Sequence, residues 1–125
     1  MADGISSCDP TRGTLRLVHP LPERLMLFFR ERLARCVATD APLRLILFGS
    51  RARGDNRPRS DFDLSLDAPT MLDAEWVRLA LDVDEEAPTL CGIDLVHLQK
   101  AQPALRQAIL DEGVIIYERN TKNQS

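Results

Sequence analysis

One stretch of the chain, from position 43 to 67, constrains the fold and the function more than any other. Its sequence, LRLILFGSRARGDNRPRSDFDLSLD, predicts a buried strand, a Gly-Ser turn, a short basic segment and a second strand. Side chains alternate between faces along a strand, so Asp61 and Asp63 are expected to project side by side while Phe62 and Leu64 point into a core. Two carboxylates held this close repel each other, and the pair predicts a divalent cation between them. Hard oxygen ligands suit Mg²⁺, which often takes only one or two protein carboxylates and completes its coordination with phosphate and water.

The turn between the two strands has the features of an anion site. Gly49 can adopt backbone angles closed to other residues, which lets a phosphate approach the main chain. Ser50 is predicted to be the N-cap of a helix, and a helix start offers free N–H groups to an anion. Four arginines follow closely, at Arg51, Arg53, Arg57 and Arg59. An anion site that faces a carboxylate pair predicts binding of a nucleoside triphosphate.

These motifs resemble the signature of the DNA polymerase β-type nucleotidyltransferase superfamily. The resemblance is carried by the Gly49-Ser50 turn and, after nine further residues, by the sequence SDFDL that begins at Ser60. Within the superfamily, GSRARGD followed by SDFDL is most similar to the minimal nucleotidyltransferase (MNT) proteins. The resemblance implies that the turn binds triphosphate, that the paired aspartates hold two Mg²⁺ ions, and that Asp94 in the sequence GIDLV supplies a third carboxylate.

The predicted site therefore has two parts. The catalytic and metal-binding residues are predicted to be Asp61, Asp63 and Asp94. The predicted nucleotide-binding residues are Gly49, Ser50, Arg51, Arg53 and Ser60. Some alternatives stay open at this point: Asp94 taken alone could cap the end of a strand or pair with an arginine, and Ser60 could instead orient the loop through a hydrogen bond to its backbone. A P-loop is disfavoured, since Asp55 and Asn56 stand where that motif requires Lys and Ser or Thr.

The rest of the chain predicts alternating helices and strands. Apolar residues recur at helical spacing from Leu21 to Val37. A second helix is predicted to have its N-cap at Thr70 and its capping-box partner at Asp73. Further elements are predicted as a strand over 93–98, a helix from Pro103 to a C-cap at Gly113, and a strand over 114–117. Because the link between the first two strands is too short for a crossover helix, we predict an α/β (α+β) domain with a mixed sheet and helices packed mainly on one side. The family resemblance implies the same arrangement, the nucleotidyltransferase fold.

Length and charge limit the possible functions. A chain of 125 residues supports a single core, which we place at residues 17–119 between flexible tails at 1–16 and 120–125. Its net charge of −3 argues against stable direct binding to nucleic acid. Three scattered cysteines fit neither a disulfide framework nor a zinc site, and no apolar run approaches the length of a membrane span. A cytoplasmic location is therefore expected.

The family resemblance implies a specific reaction and partner. MNT proteins are typically paired, as antitoxins, with small helical HEPN toxins. The implied reaction is Mg²⁺-dependent transfer of AMP from ATP to a tyrosine hydroxyl of the HEPN partner, which silences its ribonuclease. Two other classes stay open: a non-catalytic subunit that neutralises its partner by contact, and a nucleotidyltransferase of the antibiotic-modifying type. The second of these is disfavoured because no acceptor-binding domain is expected after position 119.

Overall fold

The computed structural model describes residues 21–119. Both predicted tails, at 1–16 and 120–125, lie outside the described residues, and so does the start of the predicted domain at 17–20. The elements in chain order are α1 (Glu23–Cys36), β1 (Leu43–Phe48), α2 (Ser50–Arg53), β2 (Phe62–Asp67), α3 (Asp73–Glu86), β3 (Ile93–His97), a 3-10 turn (Leu98–Lys100), α4 (Pro103–Glu112) and β4 (Val114–Arg119). None of the helices in this part of the chain is long and apolar enough to cross a membrane.

The strands of the described residues form one sheet in the order β3-β2-β1-β4. β1 runs antiparallel to both β2 and β4, whereas β2 runs parallel to β3. The parallel step from β2 to β3 contains α3 as its crossover helix, and the antiparallel step from β1 to β2 needs only the short α2 and a loop. The predicted mixed sheet is confirmed.

The two faces of the sheet are covered unequally. Leu45, Leu47, Leu64 and Leu66 point from the two central strands into the larger cluster of buried residues, which also contains the buried apolar side chains of α1 and α3. A smaller cluster on the opposite face contains Ile46, Leu98 and Ile109. α1 and α3 therefore cover one face, while α4 covers only part of the other. This arrangement confirms the prediction of helices mainly on one side, and it leaves one end of the second face open.

The start of α3 differs from the prediction, which placed the N-cap at Thr70. The N-cap is Leu72, whose backbone N–H donates to Glu75 Oε1 at 2.9 Å. A turn comes first, because the N–H of Met71 donates to the carbonyl of Ala68 at 3.1 Å and the Met71 side chain is buried. The chain is thus still turning at Thr70, and the capping carboxylate comes from Glu75.

The remaining boundaries differ from the predictions by only a residue or two. β3 ends at His97, because Leu98 already belongs to the 3-10 turn. β4 continues to Arg119, where its guanidinium donates to the carbonyl of Ala41 at 2.9 Å. α4 begins at Pro103, as predicted.

Candidate active site

The centre of the candidate site is a pair of carboxylates on neighbouring strands. Asp63 in β2 and Asp94 in β3 are directly paired in the parallel register. Paired residues of adjacent strands project to the same face of a sheet, and their strands lie about 4.8 Å apart. Leu64 and Leu95, the next residues along, belong to the core on the opposite face. The structure therefore brings Asp63 and Asp94 together on the open end of the second face.

Asp61 reaches the same place from just outside the strand. β2 begins at Phe62, so the prediction of Asp61 as a strand residue is wrong by one position; the Phe62 N–H still donates to the carbonyl of Gly92 at 2.9 Å. A Cβ atom built on Gly92 would lie only 2.7 Å from Asp61 Oδ1. Since Gly92 and Asp94 are two residues apart and share a face, the carboxylate of Asp61 lies over the face that carries Asp94.

Gly92 is a site residue that the sequence analysis missed. Any side chain there would occupy the place of the Asp61 carboxylate. Its position two residues before Asp94 was the available signal, because a glycine in a strand often marks a close approach by another group.

The Gly-Ser turn faces these carboxylates. Gly49 has a φ of 76°, a conformation that favours glycine, and a Cβ atom there would collide with Asp63 Oδ2. Gly49 is also the N-cap of α2, and its carbonyl accepts the N–H groups of Ala52 and Arg53. The prediction of Ser50 as N-cap is therefore wrong by one residue: Ser50 is the first helical residue, since the turn is completed by the backbone of Gly49.

The electrostatics of the site follow from this convergence. The pKa of Asp63 is raised, first by partial burial and then by the negative charges of Asp94 and Asp61, while the positive charge of Arg53 opposes the shift. The carboxylates thus share a negative potential that a bound cation would offset. Within residues 21–119 no three acidic, histidine or cysteine side chains converge closely enough to hold an ion by themselves. The oxygen donors nevertheless fit Mg²⁺, which takes its remaining ligands from phosphate and water.

Arg51 and Ser60 both face the loop between α2 and β2. The Arg51 guanidinium donates to the carbonyls of Ser60 and Pro58, and it lies over the Phe62 ring. The Ser60 hydroxyl accepts the N–H of Arg57 at 2.9 Å, which is the loop-orienting arrangement that the sequence left open. Neither side chain is placed against the carboxylates.

Arg53 acts on Asp63 through its charge. Its exposed guanidinium pairs with Asp55 at 3.3 Å and with Glu112 at 3.2 Å. The remaining two arginines of the basic segment, Arg57 and Arg59, are exposed in the loop. Surface pairs of this kind contribute little stability, so the Arg53 side chain is free to exchange its partners for an anion at small cost.

One family model and several solved structures are similar to this chain. A family model described as polymerase beta, nucleotidyltransferase matches residues 31–122. Among curated proteins no sequence matches. One similar solved structure is a toxin–antitoxin with AMP-PNP, with 23% identity over 82% of this chain and 76% of that chain at a TM-score of 0.58.

Two variants of a toxin–antitoxin named MntA-HpeT are also similar in structure. One carries two aspartate-to-glutamate replacements; it is 20% identical over 77% of this chain and 73% of that chain, with a TM-score of 0.55. The other carries a tyrosine-to-alanine replacement; it is 25% identical over 78% of this chain and 73% of that chain, with a TM-score of 0.56.

Proposed function

The chain belongs to the polymerase beta nucleotidyltransferase family, and we propose that it transfers a nucleoside monophosphate, specifically AMP from ATP, to a hydroxyl group of a partner protein. We propose further that the partner is a small helical HEPN-type ribonuclease toxin and that this chain is its antitoxin. The observation that carries the proposal is the approach of the Gly49 turn to Asp63, beside Asp61 and Asp94. An anion-binding turn against three carboxylates is the arrangement that a metal-bound triphosphate requires.

The carboxylates are the residues that would hold two Mg²⁺ ions. When bound, the ions would offset charge on the triphosphate and stabilise the attacking and leaving oxygens of an in-line displacement. Because Gly49 has no side chain, the turn approaches Asp63 closely, so that terminal phosphates on the turn would lie beside a metal held by the carboxylates. Arg53 is the charged side chain best placed to reach the departing pyrophosphate.

Asp94 is suited to receive the acceptor. It is exposed on β3, which is an edge strand of the sheet, so a hydroxyl carried by another protein can approach it. In the proposed reaction the hydroxyl oxygen bonds to the α-phosphorus, the bond from that phosphorus to the bridging oxygen breaks, and pyrophosphate leaves. The hydroxyl proton passes to a carboxylate, for which Asp94 is the candidate general base.

The proposed partner is supported by the solved MntA-HpeT toxin–antitoxin, to which this chain is 25% identical at a TM-score of 0.56. An acceptor presented by another protein also agrees with the exposure of Asp61 and Asp94. A small-molecule acceptor would need a more enclosed site to bind, since small-molecule sites usually bury most of the ligand surface.

Radioactive label transfer tests the proposal. The chain is incubated with Mg²⁺, ATP labelled at the α-phosphate and, as the acceptor, either the proposed small helical HEPN-type protein or an aminoglycoside. We expect label on that protein with wild type, no label with Asp61→Ala/Asp63→Ala, and unchanged label with Asp40→Asn, an exposed carboxylate outside the site. Neutralisation of the partner by the double variant, without any label in wild type, would instead establish the non-catalytic antitoxin. Label on an aminoglycoside would establish the antibiotic-modifying class.

A further inference from the structure

We infer that Arg51 is a positioning residue: it fixes Asp61 by holding the residues on either side of it, and it does not bind the phosphates. This inference rests on the proposed function, because the position of Asp61 matters for activity only if Asp61 helps to hold the metal. It differs from the sequence-based expectation, which placed Arg51 among the nucleotide-binding residues.

Arg51 holds the residue before Asp61 through the hydrogen bonds of its guanidinium. Nε and Nη2 of Arg51 both donate to the carbonyl of Ser60, at 3.0 and 2.8 Å, and Nη2 also donates to the carbonyl of Pro58 at 3.1 Å. Hydrogen bonds with a charged donor are roughly twice as strong as neutral ones. The carbonyl of Ser60 belongs to the peptide that leads directly into Asp61, so the orientation of that peptide is set from Arg51.

Arg51 also contacts the residue that follows Asp61. The Arg51 guanidinium lies 3.9 Å from the centre of the Phe62 ring, and Phe62 is buried in the main core. A planar guanidinium stacks on an aromatic face while its edge donates hydrogen bonds, a combination that lysine cannot reproduce. Arg51 therefore contacts both neighbours of Asp61 at once, by hydrogen bonds to Ser60 and by stacking on Phe62.

The backbone of Arg51 lies in α2, close to the Gly-Ser turn. Arg51 is two residues beyond Gly49, the turn that faces Asp63. One side chain thus couples the position of the proposed phosphate-binding turn to that of a proposed metal ligand. Arg53, on the same short helix, points to exposed carboxylates instead and remains the candidate for phosphate.

The experiment compares Arg51→Lys with Arg44→Lys as a matched control. Arg44 also makes two hydrogen bonds through its guanidinium, to Asp67 Oδ2 at 2.8 and 2.6 Å. It lies near the start of β1, far along the strand from Gly49, and so serves as a control outside the site. Three quantities are measured for the full chain: hydrogen exchange of the Ser60 and Phe62 amides without ligand, affinity for ATP in EDTA, and affinity for Mn²⁺ in the presence of ATP.

We expect Arg51→Lys to accelerate exchange at both amides and to weaken Mn²⁺ binding about tenfold, in the range usual for residues that orient metal ligands. Its affinity for ATP in EDTA should stay within about twofold of wild type, since the inference gives Arg51 no phosphate contact; a twofold change is only about 0.4 kcal/mol. Arg44→Lys should change none of the three.

Two results would overturn the inference. One is unchanged exchange of the Ser60 and Phe62 amides in Arg51→Lys. The other is a loss of ATP affinity in EDTA as large as the loss of Mn²⁺ affinity, which would make Arg51 a phosphate ligand after all. If wild type binds neither ATP nor Mn²⁺, the proposed function fails, while hydrogen exchange still decides whether Arg51 holds the loop.

Discussion

Neutralising Asp63 should stabilise the metal-free protein, because a site that gathers like charges lowers the stability of the empty fold. Asp63 is half-buried and is paired with Asp94 on the neighbouring strand, at a strand spacing of about 5 Å. At that separation two unit charges repel each other by about 0.8 kcal/mol in water and by about 3 kcal/mol at an effective dielectric constant near 20. Asp61 adds to this repulsion and Arg53 opposes it. We therefore expect Asp63→Asn to gain about 1 kcal/mol, toward the solvent-screened limit.

For a domain of this size, 1 kcal/mol corresponds to a rise in Tm of about 4 °C. Differential scanning calorimetry in EDTA at neutral pH measures it, with Asp40→Asn as the control that should leave Tm unchanged. A variant that melts at or below the wild-type temperature would refute the claim that Asp63 is held among like charges.

The pH dependence of this gain has a definite sign. Because the pKa of Asp63 is raised in the folded state, the folded protein binds the proton more tightly than the unfolded chain does. Wild type therefore gains stability relative to Asp63→Asn as the pH falls through that raised pKa, and the difference in Tm should narrow on the acid side. Mg²⁺ with a non-hydrolysable ATP analogue should reverse the order at neutral pH by stabilising wild type alone.

Three further predictions follow from particular contacts. Gly49→Ala should lose about 1–3 kcal/mol of stability, because alanine is strained at a φ of 76° and its Cβ would collide with Asp63 Oδ2. Urea denaturation measures the loss, and an unaltered midpoint of unfolding would contradict the described geometry of the turn. Leu79→Ala should cost about 2–5 kcal/mol in the same assay, since Leu79 of α3 is fully buried in the main core. Cys36 should resist iodoacetamide in the native protein and react once the protein is unfolded, because burial, and then the charge of Asp82, raises the pKa of its thiol. Peptide mapping measures the alkylation, and rapid alkylation of Cys36 in the native protein would contradict its buried position.

The strands and the carboxylate pair could be predicted because their signals are local. Alternation of apolar and polar residues fixes which face of a strand is buried, and β1 begins and ends where the apolar run from Leu43 to Phe48 does. The same alternation places Asp63 and Asp94 opposite the core once their strands are adjacent. The family resemblance supplied that adjacency, since nothing local in the sequence states which strands pair.

The parts that could not be predicted depend on contacts through space. Arg51 stands in the motif as one of several similar cations, and its placement against Ser60 and Phe62 depends on how the loop folds back over α2. Gly92 is required only because Asp61, the residue just before β2, approaches it through space. The N-cap of α3 is Leu72 and not Thr70, because the turn before the helix buries Met71. This tertiary contact overrides the local preference of Thr70 for a cap position.

The central claim is that Asp61, Asp63 and Asp94 gather where a metal-bound triphosphate sits. Electron paramagnetic resonance of Mn²⁺ titrated into the protein with the α,β-methylene analogue of ATP tests it directly. The account predicts two bound Mn²⁺ per chain in wild type and loss of this binding in Asp61→Ala/Asp63→Ala. Wild-type protein that takes up no Mn²⁺ beyond what the nucleotide binds alone would contradict it.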